Sequence, residues 1–253
     1  TKWGTMIGTI IPGAILILLG ISYWAGGNPV LLDMNWDKMI PDMSNFNNLV
    51  LAASIFLFYA GMEMSAVHVK DVSNPGRNYP LAILISAIIT VVIFVFGTLA
   101  IGFIIPGSQI NLVQSLLISY DDYFSFFGLG WMNWILALAL AVGVLAQVTA
   151  WVGGPSKGLF QVGLTGNLPP VMQKRNKNNV QMGILLIQGG IVTLLSVMFV
   201  IMPSVQSTYQ IISQLTIILY LIMYMLMFAS GIYLRYREPN TPRTFRIPGG
   251  KTF

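Results

Sequence analysis

The chain has no cysteine and a single histidine, His68. The first absence rules out a disulfide framework and thiolate chemistry, and the second leaves no histidine pair to hold a metal. Charge is almost as scarce. Only 8% of the residues are Asp, Glu, Lys or Arg, whereas a soluble domain carries about a quarter. No Ser-His-Asp set stands out, and Gly153-Gly154-Pro155-Ser156-Lys157 lacks the spacing of a phosphate-cradling glycine loop. The sequence therefore leads to no expected enzyme activity and no expected cofactor, and energy for any transport must come from gradients. Asp33, Asp37, Asp42 and the pair Asp121-Asp122 do not follow EF-hand spacing, so they read as a solvated acidic surface.

Apolar residues fill the space that charge leaves. They make up 55% of 253 residues, with a mean hydropathy of +0.75. Runs of about 20 apolar residues recur, each long enough to cross about 30 Å of hydrocarbon. The expected fold class is an all-α polytopic membrane protein with one transmembrane domain over 1–253. Its six spans are near Met6–Trp24, Leu49–Val67, Leu81–Ile105, Trp131–Val152, Gln181–Met202 and Tyr209–Leu234. Gly26-Gly27-Asn28-Pro29, Pro106-Gly107 and Pro203 punctuate them.

With Thr1 placed on the cytoplasmic side, twelve of the thirteen basic residues fall on inside segments and only Lys38 outside. That split follows the positive-inside rule and puts both ends in the cytoplasm. The net charge of +5 is then a topological signal, and no nucleic-acid partner is expected. The expected surroundings are the lipid bilayer. The chain opens without Met or a signal segment, so the expectation is a piece of a longer protein.

Glu63 is the one charged residue in the middle of a long apolar run. A carboxylate at bilayer depth costs several kcal/mol on most scales, so it must be neutral, paired or facing a polar cavity. Two positions earlier, Gly61 lowers helix preference by about 1 kcal/mol relative to alanine. A break over Tyr59, Ala60 and Gly61 would free backbone groups for a substrate or ion. A straight helix with a tolerated glycine, stapled by a buried acid, fits the same residues. Gln147 and Trp151 stand four apart and so share one helix face, where an amide and an aromatic plane would suit a small zwitterion. Trp151 also fits an interfacial anchor. Tyr220 and Tyr224 are likewise four apart, and helix packing accounts for them equally well.

The run Phe58-Tyr59-Ala60-Gly61-Met62-Glu63, followed by Asp71-Val72-Ser73-Asn74-Pro75-Gly76-Arg77-Asn78-Tyr79-Pro80, resembles the sixth-helix motif of APC-superfamily amino-acid permeases. Ser65-Ala66-Val67-His68-Val69, Gly153-Gly154-Pro155-Ser156-Lys157-Gly158 and Arg243-Thr244-Phe245-Arg246-Ile247-Pro248-Gly249-Gly250-Lys251 are most similar to bacterial glutamate/γ-aminobutyrate antiporters. The resemblance covers nearly the whole chain. It implies a multi-pass protein of the bacterial inner membrane whose six spans are helices five to ten of a LeuT-like 5+5 inverted repeat. The partner that follows is the missing N-terminal half of the same transporter. It also implies an amino-acid substrate held at Tyr59, Ala60, Gly61 and Glu63, with Trp151 and Tyr220 beside it and Gln147 on the helix-eight wall. Those antiporters carry a glutamate where this chain has Gln147, and an amide neither titrates nor pairs with an ammonium as a carboxylate does.

The resulting expectation is a secondary amino-acid antiporter of glutamate/γ-aminobutyrate type, working by alternating access. A proton-coupled permease with Glu63 as the protonatable group is the nearer alternative. A channel-like or structural subunit, in which Glu63 only locks helices, is the more distant one.

Overall fold

Proline and glycine set where the helices start, bend and stop. The computed structural model describes residues 2–32, 34–35, 41–55, 57, 59–111 and 113–242. Among these residues there is no strand. The acidic-loop residues Asp33 and Asp37, Lys38, Phe58 of the permease-like motif, and the Arg243–Lys251 segment lie outside the described residues.

Five helical stretches are long and apolar enough to cross a membrane, namely Trp3–Ala25, Pro75–Ile104, Gly130–Asn167, Met182–Ile201 and Val205–Arg237. The protein is thus an all-α, multi-pass membrane protein. The apolar run over 49–67 is the exception among the six expected. It forms α2 (Phe46–Ile55), a turn, and then a 3₁₀ helix over Met62–Asp71. Gly61 separates the two at φ +98°, a left-handed conformation that side chains beyond glycine rarely adopt.

The chain divides into two units, residues 1–41 with 90–208 and residues 42–89 with 209–253. In the first unit, Lys2–Thr5 leads through a π-helical turn, Met6–Ile10, into α1 (Ile11–Ala25). Pro12 explains the π turn. It has no N–H to give, and its ring would collide with the carbonyl four residues back, so the ladder widens ahead of it. Gly26 and Gly27, the latter at φ +73°, end α1, and the Asn28 side chain donates to the Tyr23 carbonyl at 2.9 Å.

Between the third and fourth expected spans lies α4 (Ser115–Phe126), after α3 (Pro75–Ile104). The α4 helix carries the polar anchors of the core. Tyr120 donates to the Pro12 carbonyl at 2.7 Å, and Tyr123 donates to the Ala100 carbonyl at 2.6 Å. Burial pushes both phenols above the ordinary tyrosine range, which keeps them as donors. Leu16, Phe124 and Leu136 complete that core.

The long helix α5 (Asn133–Val162) crosses the start of the first span at very close range. A Cβ on Gly8 would stand 2.1 Å from the Gly143 Cα, so only two glycines allow this backbone approach. The helix then runs straight through Gly153-Gly154-Pro155 to Val162, well beyond Val152. Ser156, buried behind Pro155, donates to the Gly153 carbonyl at 3.0 Å and accepts from the Gln181 amide at 2.9 Å. After that come α6 (Met182–Ile201) and α7 (Val205–Arg237), the latter continuing into the second unit.

Candidate functional site

In the second unit, the broken segment and α7 meet at one carboxylate. Met62–Asp71 starts immediately after Gly61, so Glu63 sits in its first turn beside the left-handed glycine. Glu63 Oε2 accepts from the Gly61 N–H at 3.1 Å and from the Tyr224 hydroxyl at 2.8 Å. Glu63 Oε1 is buried and has no hydrogen-bond partner among the described residues. Two donors therefore hold one oxygen of the carboxyl, and the other remains an open acceptor within protein. A buried acceptor left unpaired costs on the order of 1 to 3 kcal/mol, more if it is charged.

The break supplies the backbone donor. An amide inside a continuous α helix is bonded to its own carbonyl ladder, whereas the Gly61 N–H is released at the turn and spends itself on Glu63. On α7, Tyr220 packs against Tyr224 with ring centres 5.8 Å apart, and Tyr224 stacks on Phe228 at 6.1 Å. The phenol that reaches Glu63 is thus braced on both sides. Tyr59 stands at the surface of its unit, and Ala60 and Gly61 are half-buried. Ser65 donates to the Met62 carbonyl at 2.7 Å and lies 3.0 Å from the Tyr79 hydroxyl, tying the 3₁₀ helix to the start of α3.

The residues expected at the site divide between the units. Glu63, Gly61 and Tyr220 come together around Tyr224, which the sequence reading left to helix packing. Gln147 and Trp151 belong to the first unit, on α5. There Gln147 Nε2 donates to Thr9 Oγ1 at 2.9 Å, so one of its two amide hydrogens is engaged with the π turn that precedes α1. Trp151 is 44% exposed and lies inside the helix, not at its end. Thr149 turns away and donates to the Leu145 carbonyl.

Among the described residues no group of three or more His, Cys, Asp or Glu could hold a metal ion. Asp42 has a local task. It accepts from the Ser44 hydroxyl at 2.7 Å and the Ser44 N–H at 2.9 Å, which hold its carboxyl below the ordinary value.

An amino acid permease family model matches residues 1–252. The chain is 36% identical over 249 residues to an uncharacterized transporter of Legionella pneumophila, covering 98% of this chain and 53% of that protein. It is 34% identical over 257 residues to a glutamate/γ-aminobutyrate antiporter of Lactococcus lactis, covering 99% of this chain and 51% of that one. A probable agmatine/putrescine antiporter of Lactococcus lactis is 23% identical over 206 residues, covering 81% of this chain and 44% of its own. The chain spans about half the length of these curated relatives. With a match over nearly every residue and relatives above 30% identity, the chain belongs to the amino acid permease family.

Proposed function

We propose that the chain is part of a secondary amino-acid antiporter of the glutamate/γ-aminobutyrate type, and that Glu63 receives the substrate's ammonium or the proton that replaces it. One observation carries this reading. Glu63 Oε2 is fixed by Gly61 and Tyr224 while the buried Oε1 has no partner among the described residues. An acceptor left open within protein is where a cationic amine or a proton would add to the carboxyl. The antiporter names of the Lactococcus relatives support the exchange mode, and the glutamate/γ-aminobutyrate name supports the substrate class.

Chemically, the open oxygen can accept from a cationic amine or bind a proton, and each neutralises the group. Alternation between the two would let the site close and turn over with no unpaired charge inside it. In this reading Tyr59 to Gly61 form the unwound stretch against the substrate, with Tyr220 beside them; the Ala60 N–H here donates to the Leu57 carbonyl at 3.2 Å and the Gly61 N–H to Glu63. Trp151 and Gln147 are the helix-eight residues of the same reading, and the bond to Thr9 occupies one of the two Gln147 amide hydrogens. The six apolar runs are then helices five to ten of a 5+5 inverted repeat, in relatives about twice this chain's length. The charge split of the loops supports an orientation with both ends cytoplasmic, in keeping with a bacterial inner membrane. The work is transport, with no bond-making chemistry.

Counterflow tests the reading. Liposomes bearing the protein, loaded with unlabelled γ-aminobutyrate, should accumulate labelled glutamate or γ-aminobutyrate transiently above equilibrium. Glutamine and a basic amino acid serve as competitors. Current or flux without exchange would support a channel-like subunit instead.

A further inference from the structure

We propose that the turn joining α5 to α6 is a docking surface for the phosphate headgroups of anionic phospholipids. Lys174, Arg175 and Lys177 follow closely on a segment that links two apolar helices, each long enough to cross a bilayer. That connection lies at a membrane face, where the headgroups are. All three cations are exposed. The sequence holds no Asp or Glu between Asp122 and Glu238, so the two helices and their linker bring no carboxylate of their own to neutralise them. The N-terminus of α6, at Met182, adds the positive end of a helix dipole a few residues later.

The turn is also built, not merely basic. Asn176 Oδ1 accepts from the N–H of Asn178 and of Val180, each at 2.9 Å. The Asn176 N–H donates to the Val180 carbonyl at 2.9 Å, and Asn179 takes φ +59° to close the loop onto the Asn176 carbonyl at 3.0 Å. The Arg175 guanidinium lies 4.2 Å from the centre of the Phe160 ring, near the end of α5, which anchors the linker to its helix. Upstream, the Gln173 amide donates to the Leu168 carbonyl at 2.6 Å. Three like charges are thereby held on a short, fixed turn, so their mutual repulsion cannot relax by spreading the chain. A leaflet of anionic phosphates removes that repulsion and offers many acceptors at once. Each basic residue at such a surface strengthens binding about fivefold, the equivalent of about 1 kcal/mol. The inference rests on the membrane-spanning character of α5 and α6 and is independent of amino-acid exchange.

The test uses the purified protein in neutral detergent, offered phosphatidylglycerol or phosphatidylcholine, with retained lipid counted by native mass spectrometry. Phosphatidylglycerol should be retained in preference. The K174Q/R175Q/K177Q variant should lower that retention by one to two orders of magnitude and leave phosphatidylcholine unchanged. N176A keeps every cation but opens the turn, and should lower retention by a smaller factor. Equal retention of the two lipids by the wild type would overturn the proposal, as would undiminished phosphatidylglycerol on the triple variant. Full displacement by millimolar glycerol phosphate would also overturn it, because the turn would then be a site for small free anions. Wild-type retention by N176A would remove the role given to the fixed turn.

Discussion

Glu63 was conspicuous in the sequence because charge is so rare around it, and Gly61 marked where the helix would yield. Tyr224, which completes the arrangement, was not legible, because two tyrosines four apart describe a packed helix face as well as a donor. Its partner lies 161 residues away in the chain, and no local pattern encodes that distance. Gln147 shows the same limit, since one of its amide hydrogens goes to Thr9, 138 residues earlier. Removing the phenolic donor by Tyr224→Phe should slow exchange by about one to two orders of magnitude, the range for a hydrogen bond to a charged group. Initial rates in proteoliposomes would measure this, and unchanged rates would return Tyr224 to packing alone. The Asp42 turn gives a pH prediction of definite sign. Its carboxyl is depressed by the Ser44 hydroxyl and N–H, so its contribution is present above the ordinary carboxylate value and lost as pH falls through the lower folded one. Hydrogen exchange at the Ser44 amide should stay slow at pH 4 relative to its intrinsic rate and speed up only in stronger acid.

At the scale of elements, five of the apolar runs coincide with long helices whose ends differ from those of the runs. The fourth expected span ends at Val152, yet α5 passes through Gly153-Gly154-Pro155 to Val162, and the Ser156 hydroxyl adds a bond to the Gly153 carbonyl there. The second run is long and mostly apolar, but Gly61 in a left-handed conformation separates the helix before it from the 3₁₀ helix after it. The close crossing of Gly8 with Gly143 was invisible, since many glycines in membrane helices touch nothing. Gly97 is one of those, with open space around its missing Cβ. Gly143→Ala, whose Cβ would stand 2.5 Å from the Gly8 carbonyl oxygen, should therefore destabilise by about 1 to 3 kcal/mol, as overpacking does. Gly97→Ala should not lower stability. Thermal unfolding in detergent would compare them, and equal melting would contradict the crossing.

For the whole molecule, scarcity of charge and recurrent long apolar runs were enough to read a multi-pass membrane protein. The motif around Glu63 was enough to read the permease family. Which side chains converge on the carboxylate depended on pairing across more than a hundred residues, which composition and spacing do not carry. The central claim is that the Glu63 oxygen with no partner among the described residues exchanges a substrate amine for a proton. Glu63→Gln tests it most directly, because the amide oxygen can still accept from Gly61 and Tyr224 while the group no longer titrates. Counterflow of labelled γ-aminobutyrate should be measured from pH 4 to pH 8 in wild type and variant. The account predicts a pH-dependent rate in the wild type and a flat, reduced rate in Glu63→Gln, with thermal stability retained. The same pH profile at wild-type rate in the variant would contradict it.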